Sequence, residues 1–132
     1  MAQEYRHSQT SVFMINYHFV WIPKRRKAVL VGPIERALRR LLEEKAEELD
    51  CQIIALEVMP DHVHLFINCP PTLSADQLMF RLKGSSSHAL RKRFPELLKL
   101  PSLWTRSYFC STAGNVSNAT VERYIAEQKN HY

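Results

Sequence analysis

Residues 11–22, SVFMINYHFVWI, carry apolar residues at both odd and even positions. Phe13, Ile15, Tyr17, Phe19 and Trp21 share one parity, and Val12, Met14, Asn16, His18 and Val20 the other. Both sets are mostly apolar and rich in β-branched and aromatic types, which predicts a central strand. Over residues 33–50 the pattern changes: Ile34, Leu38, Leu41, Leu42 and Leu49 recur at helical spacing behind Pro33, a residue suited to a first helical turn. Residues 51–58, CQIIALEV, read as a second strand. From His62 alternation begins, with Val63, Leu65 and Ile67 on one parity and His62, His64 and Phe66 on the other. Pro60 and Asp61 between these runs predict a tight turn and an antiparallel hairpin.

Further along, Ser74-Ala75-Asp76-Gln77 has the S-x-x-Q capping-box pattern and opens a second helix, predicted to run to about Phe94. Leu78, Leu82, Ala89 and Leu90 supply its core face. Gly84 and the serines at 85–87 weaken its middle, where backbone or hydroxyls could approach a ligand. Residues 95–107 read as a loop and 107–112 as a fourth strand. Gly114-Asn115 then breaks the chain before a last helix over residues 117–129. Residues 1–10 are polar and read as a loosely held arm. The order β-α-β-β-α-β-α predicts an α+β domain spanning residues 1–132: a ferredoxin-like, RNA-recognition-like antiparallel four-stranded sheet with helices on one face and a C-terminal helix. RNA-recognition domains display aromatics on the free sheet face. Here histidines stand in their place, which points to chemistry.

Composition narrows the classes. The net charge of +5 suits a polyanionic partner. Cys51, Cys69 and Cys110 are widely spaced with no C-x-x-C pair, so free thiols in a reducing cytoplasm are expected, not a disulfide or zinc framework. No apolar run approaches the roughly 20 residues of a membrane span, and the first residues are too polar for a secretion signal. The dense carboxylates Glu43, Glu44, Glu47 and Glu48 lie on one helix and read as a solvated face.

The candidate chemistry centres on Met59-Pro60-Asp61-His62-Val63-His64. An i, i+2 histidine pair on a strand can share one metal ion, and Asp61 could orient an imidazole or touch the metal. Two ordinary half-buried histidines would give the same pattern, and H-x-H alone leaves both readings open. On the last helix, Tyr124 and Gln128 form an i, i+4 pair beside the apolar pair Val121 and Ile125, so phenol and carboxamide point the same way. Taken with the histidine strand, a nucleophile and a third metal ligand account for that pair better than a structural tyrosine. Lys24, Arg25, Arg26 and Lys27 after the first strand, with His18 on it, and Arg81, Lys83, Arg91 and Arg93 on the second helix, are candidate phosphate contacts.

Tyr17-His18-Phe19-Val20-Trp21 with the following Pro-Lys-Arg, Met-Pro-Asp-His-Val-His, Leu82-Lys83-Gly84, Leu103-Trp104 and Tyr124-Ile-Ala-Glu-Gln128 together resemble the single-tyrosine HUH transposases of bacterial and archaeal insertion sequences, the IS200-like transposase family. The similarity runs from about residue 5 to residue 130. It implies that His62, His64 and Gln128 bind a divalent metal, Mg2+ or Mn2+, that Tyr124 is the nucleophile, and that Asp61 sits beside the metal. It also implies cleavage and rejoining of single-stranded DNA through a 5′-phosphotyrosine, recognition of hairpins at element ends, and a homodimer with active sites shared between subunits. The absence of a G-x-x-x-x-G-K-[ST] loop agrees with chemistry that needs no ATP. Two rival classes share the fold: a metal-dependent nuclease or phosphohydrolase using water, and a non-catalytic single-stranded nucleic-acid-binding module.

Overall fold

The structure, a computed structural model, describes residues 3–112 and 123–127. Two short strands, β1 (Arg6–His7) and β2 (Val12–Phe13), pair as a small antiparallel ribbon. The remaining strands are β3 (Ile15–Trp21), β4 (Gln52–Met59), β5 (His62–Cys69) and β6 (Phe109–Ser111), with helices α1 (Gly32–Glu48) and α2 (Ala75–Arg93) between them. They form one four-stranded sheet in the order β4-β5-β3-β6, antiparallel throughout. With the two helices in their predicted places, this is the ferredoxin-like arrangement.

Period-2 patterning explains the layers. Phe19, Trp21, Val63, Leu65 and Ile67 share one sheet face and are fully buried in a single core with Leu38 and Leu42 of α1 and Leu78, Leu82 and Leu90 of α2. Each such side chain contributes roughly 1.5–3 kcal/mol. That exceeds the about 1 kcal/mol by which a mid-helix glycine disfavours helix, so α2 runs unbroken through Gly84. The predicted capping box at Ser74 and Gln77 is formed in both directions. Gly32 has φ +56°, a left-handed conformation that glycine adopts without strain, and it turns the chain into α1.

Three local expectations change. The first ten residues do not form a loose arm where they are described. Arg6 donates to the Asp50 carbonyl at 2.8 and 3.1 Å and to Asn68 Oδ1 at 2.9 Å, and its guanidinium lies 5.1 Å from the centre of the Phe13 ring. The strand expected over 11–22 is divided into β2 and β3, because β2 pairs with β1 and not with the main sheet. Ser85 and Ser86 bond back into the helix, donating to the carbonyls of Arg81 and Leu82, and buried Ser86 accepts from Trp104 Nε1 at 3.1 Å, whereas Ser87 lines an open groove with Gly84. The loop after α2 contains a short 3-10 turn, Pro95–Lys99. Of the helix expected over 117–129, residues 123–127 are helical and the rest lie outside the described residues. All three cysteines are free. Among the described residues, no helix is long and apolar enough to cross a membrane.

Candidate active site

The register of β3 against β5 places His18 opposite Phe66 and Val20 opposite His64. His18 and Val20 therefore lie on the same face as His62, His64 and Phe66, the face away from α1 and α2. The His62 and His64 rings are 5.0 Å apart, and those of His18 and His64 5.6 Å. Phe66 and Phe109 meet the His18 ring edge-on and wall the cluster.

Each imidazole of the H-x-H pair has a partner on its Nδ1. His62 Nδ1 donates to Asp61 Oδ1 at 2.8 Å, and Asp61 Oδ2 accepts from Arg26 Nε at 2.8 Å. His64 Nδ1 lies 3.4 Å from His18 Nε2. A ring nitrogen held as a donor leaves the other with its lone pair free, which is how an imidazole is prepared for a cation. Burial, reinforced by His62 and His18, lowers the His64 pKa, and burial lowers that of His18, so both rings favour the neutral, ligating form. Burial would raise the Asp61 pKa, but hydrogen bonds from His62 and Arg26 outweigh it and hold the carboxyl ionised. The paired imidazoles of His62 and His64 thus suit a divalent cation. Among the described residues, no three His, Cys, Asp or Glu side chains gather into a complete ligand set, so a further ligand must be of another type or lie elsewhere. Gln128, the expected third ligand, lies outside the described residues.

Tyr124 reaches this face from the β6 side. Ile125 is buried against Val20 and Ile22, and the Tyr124 ring centre is 5.9 Å from that of Phe109. The Tyr124 hydroxyl is 3.0 Å from Ser107 Oγ. The segment carrying Ser107 is itself pinned from α2, since Lys83 Nζ donates to the Thr105 carbonyl at 2.7 Å and the Ser107 carbonyl at 3.1 Å. Other described tyrosines are placed differently. Tyr108 donates to Asp76 at 2.7 Å, packs on the core residue Phe19, and its pKa is pushed up to about 12 by burial and by Asp76. Tyr17 lies on the helix side of β3, with its pKa raised chiefly by burial. Tyr5 is on the exposed N-terminal segment, and Tyr132 lies outside the described residues.

The family model described as "Transposase IS200 like" matches residues 11–128. The chain belongs to the IS200-like transposase family. It is 32% identical over 120 residues to ISDra2 transposase TnpA of Deinococcus radiodurans, covering 89% of this chain and 86% of that one. It is also 32% identical over 115 residues to the transposase for insertion sequence element IS200 of Salmonella typhimurium, covering 85% and 75%. A crystal structure of a Deinococcus radiodurans protein assigned as a transposase superposes with a TM-score of 0.86 at 32% identity, over 93% of this chain and 97% of that one. A REP-associated tyrosine transposase bound to a REP hairpin superposes at 0.59 with 15% identity, over 90% and 68%, a likeness of fold.

Within this IS200-like transposase the expected DNA contacts are scattered. His18 sits in the histidine cluster, and Arg26 is engaged with Asp61. Lys83 turns inward, and Arg91 donates to the carbonyls of Leu100 and Pro101. Arg25, Lys27, Arg81 and Arg93 are exposed, and Lys24 is half-buried. Along α2 an open groove of about 600 Å³ is lined by Gly84, Ser87, His88, Arg91, Lys92, Pro95 and Leu98. Sequence reasoning missed Ser107 altogether, because nothing in a lone loop serine marks it. The register of β3 against β5, which brings His18 beside His64, has no local signal in the sequence.

Proposed function

We propose that this IS200-like transposase cleaves and rejoins single-stranded DNA at hairpin-bearing element ends, with Tyr124 as nucleophile. The observation that carries the reading is the placement of Tyr124 on the sheet face that also holds His62 and His64. His62 and His64 would hold a divalent cation, Mg2+ or Mn2+, with Gln128 as third ligand. Bound there, the cation would polarise the scissile phosphate and offset its charge.

The chain's own groups do the rest. The Tyr124 hydroxyl gives up its proton as its oxygen attacks phosphorus, the bond from phosphorus to the 3′-oxygen breaks, and that oxygen takes up a proton and leaves as a free 3′-hydroxyl, so the step is proton-neutral. The product is a 5′-phosphotyrosine. A phenol of pKa about 10 is a weak nucleophile at neutral pH and a good leaving group in the reverse step. Attack by another strand's 3′-hydroxyl therefore releases Tyr124 and rejoins the DNA without a nucleotide cofactor. The Ser107 hydroxyl orients the phenol oxygen, and Lys83 holds the segment that carries Ser107. Arg81, Lys92 and Arg93, exposed on α2, would grip hairpin phosphates. The active assembly is a homodimer whose subunits share the two sites.

A labelled single-stranded hairpin incubated with the protein and Mn2+, then run on a denaturing gel, tests the reading. A covalent protein–DNA band is expected. Cleavage without an adduct would instead indicate a nuclease using water, and hairpin binding indifferent to divalent ions and without cleavage a binding module.

A further inference from the structure

Arg25 and Arg26 both adopt left-handed backbone conformations, with φ +58° and +52°. Two consecutive non-glycine residues in this region are uncommon, and each costs on the order of 1 kcal/mol. The turn is fastened on both sides. Lys24 N donates to the Leu103 carbonyl at 2.7 Å, Arg26 N to the Pro23 carbonyl at 2.9 Å, and Leu30 N to the Pro60 carbonyl at 3.0 Å, next to Asp61. The result of this geometry is one side-chain contact: Arg26 Nε on Asp61 Oδ2, with the other carboxylate oxygen on His62 Nδ1. Arg26 and Asp61 are both largely covered, at 29% and 25% side-chain exposure, so the pair is not a freely exchanging surface contact.

We infer that Arg26 is a positioning residue for His62, acting through Asp61, and not a phosphate contact. A guanidinium on one carboxylate oxygen fixes the carboxylate plane. The other oxygen then holds the imidazole with its proton on Nδ1, and the Nε2 lone pair faces the site. The inference rests on the reading of His62 as a metal ligand. Loss of a group that orients a ligand lowers metal affinity by roughly tenfold to a hundredfold. Asparagine tolerates left-handed backbone and is too short to reach Asp61, so Arg26→Asn removes the contact while preserving the turn. Arg25→Asn makes the same backbone change without touching Asp61.

Two readouts separate the outcomes. Long-range proton–nitrogen NMR on metal-free protein reports the His62 tautomer. Calorimetric titration with Mn2+ reports affinity. The expected result is a single Nδ1–H form in wild type and in Arg25→Asn, a mixture in Arg26→Asn with at least a tenfold weaker Mn2+ affinity, and partial recovery of both in Arg26→Lys. An unchanged tautomer in Arg26→Asn overturns the positioning role. Equal Mn2+ affinity in wild type, Arg26→Asn and His64→Ala would show that the metal reading itself has failed, and the inference falls with it.

Discussion

Replacing Lys83 by methionine separates two roles that a lysine beside a DNA-processing site could have. In the structure its ammonium donates to the carbonyls of Thr105 and Ser107 at 2.7 and 3.1 Å, and Ser107 Oγ lies 3.0 Å from the Tyr124 hydroxyl. Hydrogen bonds to a charged group are each worth about 1.5–3 kcal/mol, part of which offsets the desolvation that holds the Lys83 pKa down to about 8. A net local loosening of about 1–2 kcal/mol is therefore expected. If it all reaches the placement of the phenol, cleavage falls by roughly fivefold to thirtyfold. Hairpin affinity should barely change, and neither should its salt slope. Stability carries its own signature. Between pH 8 and 10.5 the folded chain has released the Lys83 proton while the unfolded chain still holds it, so the unfolded state binds more protons and stability rises with pH. The difference in urea midpoint between wild type and Lys83→Met should shift in favour of wild type across that window. A salt slope reduced by about 0.7 in Lys83→Met, with cleavage lost only in proportion to binding, would mean that Lys83 grips phosphate and that the tether to Ser107 is incidental.

His64→Ala should weaken Mn2+ binding by more than the roughly hundredfold upper bound for losing a ligand's partner, with the fold retained because the residue lies outside the main core; unchanged calorimetric affinity would remove the metal site. Replacing both Arg81 and Arg93 by glutamine should lower hairpin affinity and flatten its dependence on salt by about 0.7 log unit per lost contact, and an unaltered slope would move the DNA away from these two residues. Heterodimers of His64→Ala with Tyr124→Phe should recover about half of wild-type cleavage if subunits share sites across a two-fold axis; dead heterodimers, alongside an active pairing of wild type with the double mutant, would place each tyrosine in its own subunit's site.

The layers were legible from local pattern: apolar residues on both parities of β3 give burial on both faces over Phe19, Val20 and Trp21, and the alternation that opens β5 buries Val63, Leu65 and Ile67 on one face. The Ser74 box likewise announces α2, since the cap and its reciprocal glutamine are local. The site was legible where it is local too, in Asp61-His62-Val63-His64. What could not be read depends on contacts distant in sequence. Arg26 reaches Asp61 across 35 positions, through a left-handed turn that no residue type there signals. Ser107 meets Tyr124 because an inward-turned lysine on α2 holds a loop. Arg6 is tied to Asp50 and Asn68, which turns a polar N-terminal stretch into a clamp across the end of the sheet.

The central claim is that Tyr124 carries the DNA, and mapping the covalent adduct tests it most directly. Wild-type protein trapped on a single-stranded hairpin with Mn2+ would be digested with protease and nuclease, and the nucleotide-bearing peptide sequenced by mass spectrometry. The predicted result is a single modified peptide with a 5′-linked nucleotide on Tyr124, absent from Tyr124→Phe. A nucleotide on Tyr5, Tyr17, Tyr108 or Tyr132, or an adduct that persists in Tyr124→Phe, would contradict the account.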